Sequence, residues 1–194
     1  MGEIVRAIAE EAKAWCEGRR WIVRAPLLAW GGWILLHHLR SPDYASLFAG
    51  LNLGIHELGH VVFAVFGRTL GVAGGSLAQV LAPLGAVLVF LRQRDWFAIS
   101  FAFLWLGASL FELARYVGDA RAMELPLVSP FGGDPIHDWN FLLANAGLLR
   151  WDATLAALLR VGATASIVVF LVAGAWLLLR MARSNPGARA VPRA

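Results

Sequence analysis

Two histidines four residues apart, with a glutamate directly after the first, are the residues of this chain best suited to chemistry: His56-Glu57-Leu58-Gly59-His60. On a helix, positions i and i+4 share a face, so both imidazoles reach one ion. Glu57 stands beside the first ligand. It can take a proton from a metal-bound water and pass it to a leaving amine. Zinc lowers the pKa of such a water to about 7, so a hydroxide nucleophile exists at neutral pH. The motif therefore supplies two ligands, His56 and His60, and a base, Glu57, and it needs a third ligand from elsewhere. Asn52, one turn earlier on the same face, suits a substrate carbonyl or an oxyanion, and equally a helix–helix hydrogen bond.

The motif sits inside an apolar run, Leu47 to Phe66. Each ionisable group at mid-bilayer costs roughly 2.5–3.5 kcal/mol on insertion scales. A helix carries three polar groups in one turn only when something compensates them. A bound zinc ion would do so. The bland alternative is a structural hydrogen-bond cluster, or an ion or proton pathway.

The elements that hold this motif follow from the composition. The chain has 194 residues, 59% of them hydrophobic and 15% charged, with a mean hydropathy of +0.63. A soluble domain carries about a quarter charged residues, so lipid is the expected solvent for much of this chain. Cys16 is the only cysteine, which excludes an internal disulfide framework and a Cys-rich zinc site. The net charge of +4 comes from 16 Arg and one Lys, mainly at the termini and between apolar runs. That is the pattern of basic membrane flanks, and no nucleic-acid partner is expected.

The expected fold is all-α, a single membrane-embedded domain. It is a polytopic bundle of about five to six transmembrane helices with an amphipathic N-terminal helix. Residues 1–20 form the amphipathic helix, whose alternation of charged and apolar positions does not read as a cleavable signal peptide. Residues 21–117 hold four spans: Trp21 to Leu39, Leu47 to Phe66, Leu70 to Leu91 and Trp96 to Val117. Residues 118–152 are a polar loop with metal-ligand candidates and one short apolar segment, Phe141 to Leu149. Residues 153–179 make the last span, and 180–194 a flexible basic tail. With five alternating spans, the amino-terminal side carries nine Lys or Arg and the other side seven. The positive-inside rule then puts the amino terminus in the cytoplasm. A sixth, re-entrant crossing would bring the basic tail to the same side. The chain is expected to be integral to the plasma (inner) membrane, in contact with its lipids.

The polar loop supplies the candidate third ligands. The second and fourth spans run in the same direction, and His60 lies roughly 20 Å along its span at 1.5 Å per residue. Asp119 emerges at that same end, and His137 lies on that side as well. His137 is the first choice, because histidine is the commoner zinc partner. Asp119 is the second, as a ligand or as a support to a ligating histidine. Asp134 and Asp138 are weaker candidates. Glu112, Arg115 and Asp119 share one face of the fourth span, as a charge relay or a self-neutralising set. Gly50, Gly54 and Gly59, with Gly67, Gly71 and Gly75, favour close helix contact. His37 and His38, at a span end, read as interfacial.

An intramembrane His-Glu-x-x-His helix after an amino-terminal span resembles the site-2 protease family of zinc metalloproteases. The resemblance covers residues 47–66 and, loosely, the hairpin Gly71-Val72-Ala73-Gly74-Gly75. It implies His56 and His60 as zinc ligands, Glu57 as base, and a membrane-embedded protein or peptide substrate cut in or near the bilayer. The later Asn-Pro…Leu-Asp-Gly segment of that family is absent, as is any PDZ-like domain, which marks a divergent branch. Two further readings stand beside this one. One is a zinc-dependent lipid amidase or esterase of ceramidase-like type; the other is a non-catalytic metal-binding membrane protein.

Overall fold

The structure is a computed structural model and describes residues 2–41, 43–127 and 136–184. Among the described residues there are seven α-helices and no strand. They are α1 (Gly2–Cys16), α2 (Ala25–Arg40), α3 (Phe48–Ala64), α4 (Arg68–Gln93), α5 (Trp96–Gly118), α6 (Asp138–Asn145) and α7 (Asp152–Ser184). A 3-10 turn, Leu149–Trp151, leads into α7. The short apolar segment of the polar loop is thus the helix α6. The candidate Asp134 and the tail from 185 on lie outside the described residues.

Local chemistry sets the helix ends. Proline in the first turn of α2, where the missing N–H is no loss, opens that helix. The Asp95 carboxylate accepts the Ala98 N–H at 3.0 Å and caps α5. Gly67, at φ +99°, makes the tight bend from α3 into α4.

Three helical stretches are long and apolar enough to cross a membrane: α4 with 26 residues, α5 with 23, and Leu149–Ser184 with 36. Large apolar side chains such as Leu58, Val62, Leu81, Leu88, Val161 and Val172 point outward from the bundle. A soluble monomer does not expose apolar surface on this scale. With 16 and 17 residues, α2 and α3 reach only about 24 and 26 Å, short of the ~30 Å hydrocarbon core.

Those two helices depart from simple alternation. Helix α2 runs beside α5 in the same direction: Trp30 lies 6.4 Å from Phe101, and His38 stacks on Phe111 at 4.5 Å. Helix α3 starts again near the middle of α5, with Phe48 against Phe101 and Trp105, and descends past Asn52, bonded to Ser109, to His56 beside Tyr116. Both helices therefore point the same way. The segment 41–47 carries the chain back between them, and the pair together covers the length that neither covers alone. Hydropathy sees two apolar runs here and cannot see that they overlap in depth.

The remaining helices alternate. Helix α4 returns against α3, and α5 and α7 pack antiparallel, with Phe97 near Phe170 and the Ser166 hydroxyl donating to the Phe103 carbonyl. Helix α1 lies across the end where α7 finishes, its buried Cys16 facing the Leu177 carbonyl and its Glu11 paired with Arg94. The shared core of α2, α5 and α7 includes Ile34, Leu104, Ile167 and Phe170, all fully buried.

Glycine decides how α3 meets α4. A Cβ on Gly59 would collide with the Gly74 carbonyl, and one on Gly74 would fall 2.6 Å from the Gly59 carbonyl and the Phe63 Cβ. The two backbones touch there, as small residues allow between membrane helices. Gly71 lies against Ala64 in the same seam, whereas Gly50 and Gly54 face open space.

Candidate metal centre

Both histidines of the motif project from α3 toward α4 and the start of α6. Their ring centroids lie 4.8 Å apart. The Asp138 Oδ2 atom stands 3.0 Å from His56 Nε2 and 3.2 Å from His60 Nε2. Around a tetrahedral zinc with bonds of 2.0–2.1 Å, neighbouring ligand atoms sit about 3.3 Å apart. Both histidine–Asp138 separations are therefore already close to that spacing.

Each ring is oriented from behind. His60 Nδ1 lies 2.9 Å from the Gly71 carbonyl, which can only accept, so Nδ1 carries the proton. His56 Nδ1 lies 3.1 Å from Gln79 Oε1. The Gln79 amide is fixed in turn, because its NH2 donates to the Ser109 carbonyl at 3.3 Å. Both Nδ1 atoms are thus committed as donors, and both Nε2 lone pairs face the Asp138 carboxylate. This is the arrangement that orients metal-ligating histidines. Replacing Gln79 with Leu is expected to weaken zinc binding by roughly 10- to 100-fold with the helical circular dichroism unchanged. A competition titration with a chromophoric chelator measures it, and an unaltered affinity would exclude this role for Gln79.

Gly75 lets both rings approach α4 closely. A Cβ added there would fall 2.5 Å from His56 Nε2, 2.6 Å from His56 Cδ2 and 2.6 Å from His60 Nε2, so any larger residue would displace the imidazoles. One potential ligand atom from each of His56, Glu57 and His60 also lies within 4.8 Å of the others. Glu57 is half-buried, and among the described residues its carboxylate takes no hydrogen bond.

Asp138, a weaker sequence candidate, occupies the position expected of His137. His137 caps α6 instead: its Nδ1 accepts the Asn140 N–H at 3.2 Å, and its Nε2 donates to Asp119 Oδ2 at 3.2 Å. With both nitrogens engaged, His137 has no free lone pair for an ion. Asp119 accepts the backbone N–H groups of Glu124 and Leu125, each at 3.0 Å. Burial raises its carboxyl pKa, but those two N–H groups and His137 outweigh this and hold it below the usual carboxylate range. Asp119 is therefore a support to a histidine, though one that carries the α6 cap. The neighbouring Tyr116 stacks on His137 at 4.5 Å, and its phenol oxygen accepts the Asp138 N–H at 2.9 Å. Asp119, His137 and Tyr116 together mount Asp138 against the imidazoles.

Asn52 is tied into the bundle. It is 1% exposed. Its Oδ1 accepts from Trp105 and Ser109, and its Nδ2 donates to Glu112 at 2.7 Å. One Nδ2 hydrogen remains after these three bonds. The set on α5 does not neutralise itself: Glu112 bonds to Asn52 and Ser46, Arg115 pairs with Asp43 at 3.1 Å, and Asp119 bonds to His137. His38 is half-buried, stacked on Phe111 and edge-on to Tyr44.

No family model, curated protein or solved structure matches this chain.

Proposed function

We propose that this chain is a zinc-dependent membrane hydrolase that cuts a peptide bond at the bilayer, with zinc held by His56, His60 and Asp138 and with Glu57 as base. One observation carries the reading. Three lone-pair-bearing atoms, two Nε2 and one carboxylate oxygen, face each other at 3.0 and 3.2 Å. Mutual hydrogen bonding would require protons on both Nε2 atoms while both Nδ1 donors remain in place. That means two buried imidazolium ions against one carboxylate, an expensive arrangement in low dielectric. A divalent cation shared by the two Nε2 atoms and the Asp138 carboxylate would satisfy all three.

When bound there, zinc supplies Lewis acidity and a water acidic enough to act near neutral pH. Glu57 takes the proton from the attacking water and delivers it to the amine as the C–N bond breaks. Asp138, His56 and His60 remain fixed through Tyr116, Gln79 and Gly71. In the plasma (inner) membrane, α4, α5 and α7 cross, and α2 and α3 share a further crossing. An apolar cleft of about 390 Å³ between α2 and α7, lined by Trp21, Leu28 and Leu178, lies toward the other end of the bundle.

Metal analysis of the detergent-purified protein tests the ligand set. About one zinc per chain is expected. Asp138→Asn should bind zinc roughly 100-fold more weakly, and His137→Gln, which disturbs only the mounting of Asp138, should lose less. Zinc retained in full by both His56→Ala and Asp138→Asn would exclude the centre. Turnover of labelled casein against turnover of an N-acyl sphingoid lipid separates protease from lipid amidase.

A further inference from the structure

The helix directions and the distribution of basic residues carry a second conclusion, about the side from which the site is served. The contacts sort the ends of the helices into two groups. At one end lie α1, the start of α2, the α4–α5 junction and the finish of α7, joined by Glu11–Arg94 and by Cys16 with Leu177 and Ser184. At the other lie the α3–α4 bend, the end of α5, α6 and the start of α7. They are joined by Arg68 over the Phe141 ring and by the Arg121–Asp152 pair at 2.6 Å. His56, His60, Asp138 and Gly75 belong to this second end.

Basic residues divide unequally between the two. Nine described Lys or Arg lie at the first end, among them Arg19, Arg20, Arg24, Arg92, Arg94 and Arg180. Five lie at the second: Arg40, Arg68, Arg115, Arg121 and Arg150. Arg160 is within α7 and counts for neither. Over the same described residues an alternating five-span topology also divides them nine to five; the observed helix directions exchange Arg68, Arg115, Arg121 and Arg150 for Arg92, Arg94, Arg180 and Arg183 on the amino-terminal side. Positive charge near helix ends stays in the cytoplasm.

We propose that the amino-terminal end faces the cytoplasm and that the histidine–carboxylate site opens to the opposite, extracytoplasmic face. Gly75 lies seven residues into α4 from Arg68, about 10 Å in from that face at 1.5 Å per residue. The site is therefore in the outer third of a ~30 Å core. Resting on the hydrolase reading, this names the substrate: a polypeptide segment presented in extended form at the extracytoplasmic interface, with water arriving from the same side. A bond at mid-bilayer, inside an intact helix, would lie too deep.

Cysteine labelling tests the orientation without reference to activity. In a Cys16→Ser background, Met123→Cys, an exposed position at the site end, and Glu17→Cys, exposed at the amino-terminal end, are each treated with a membrane-impermeant maleimide on intact bacterial cells. Met123→Cys should react without permeabilisation, and Glu17→Cys only after it. The opposite pattern, or equal reaction of both, overturns the proposal. Labelled casein added outside sealed right-side-out vesicles should be cut by the wild type and not by Glu57→Gln. Cleavage confined to inverted vesicles overturns the substrate assignment. Cleavage in neither orientation removes the hydrolase reading and the substrate with it, and the labelling still decides the topology.

Discussion

Glu57→Gln is expected to lower turnover at least a thousandfold while the protein keeps its zinc. The amide has the shape of the carboxylate and cannot accept a proton. A positioned base contributes about 10²–10⁴ in rate, and a thousandfold loss corresponds to roughly 4 kcal/mol in the barrier. The geometry separates this role from metal binding. His56, His60 and Asp138 supply three converging atoms without Glu57, and the Glu57 carboxylate, half-buried and without a hydrogen bond among the described residues, is free to turn toward a bound water. Parallel measurement of kcat and of zinc per chain checks this. Normal turnover in the variant would exclude Glu57 as base. Loss of zinc together with activity would instead make Glu57 the ligand that its 4.8 Å grouping with the two histidines also permits.

The residues of the motif were legible because helical spacing alone puts His56 and His60 on one face. The five apolar helices were legible too, and their observed ends fall within a few residues of the hydropathy boundaries, apart from α2, which starts at Ala25, and α7, which extends to Ser184. The partner of the two histidines was harder. His137 and Asp138 are adjacent, and which of them faces α3 depends on where α6 begins. With His137 as cap, its ring folds over the first turn onto the Asn140 N–H, and Asp138 is turned inward. Helix-start signals in Pro135-Ile136-His137-Asp138, ahead of the apolar Trp139 to Leu143, carried that information. Gln79 had a signal as well: Gly71, Gly75 and Gln79 recur every four residues in an otherwise apolar run, on one face. The parallel course of α2 and α3 left no comparable trace, because a seven-residue link between two apolar runs suits a hairpin and a return equally.

Gly75→Ala should abolish zinc binding, and with it more than a thousandfold of turnover, at little cost to the fold. A single methyl group is added, on the face of α4 turned toward the two imidazoles. Its carbon would lie 2.5 Å from His56 Nε2, 2.6 Å from His56 Cδ2 and 2.6 Å from His60 Nε2, so the two rings cannot both keep the positions in which they converge on one ion. Alanine is a better helix former than glycine, by roughly 0.5–1 kcal/mol, so α4 itself gains. Relief by rotation of the rings is hindered, because Gln79 and the Gly71 carbonyl hold them from behind. Gly85, on the same helix with nothing within 4 Å of its would-be Cβ, supplies the control. Gly85→Ala should share the propensity gain and keep its metal, and thermal unfolding should separate both from a variant that fails to assemble. Equal zinc content in the Gly75→Ala and Gly85→Ala proteins would mean that the close approach of the two rings to Gly75 is not needed to hold an ion.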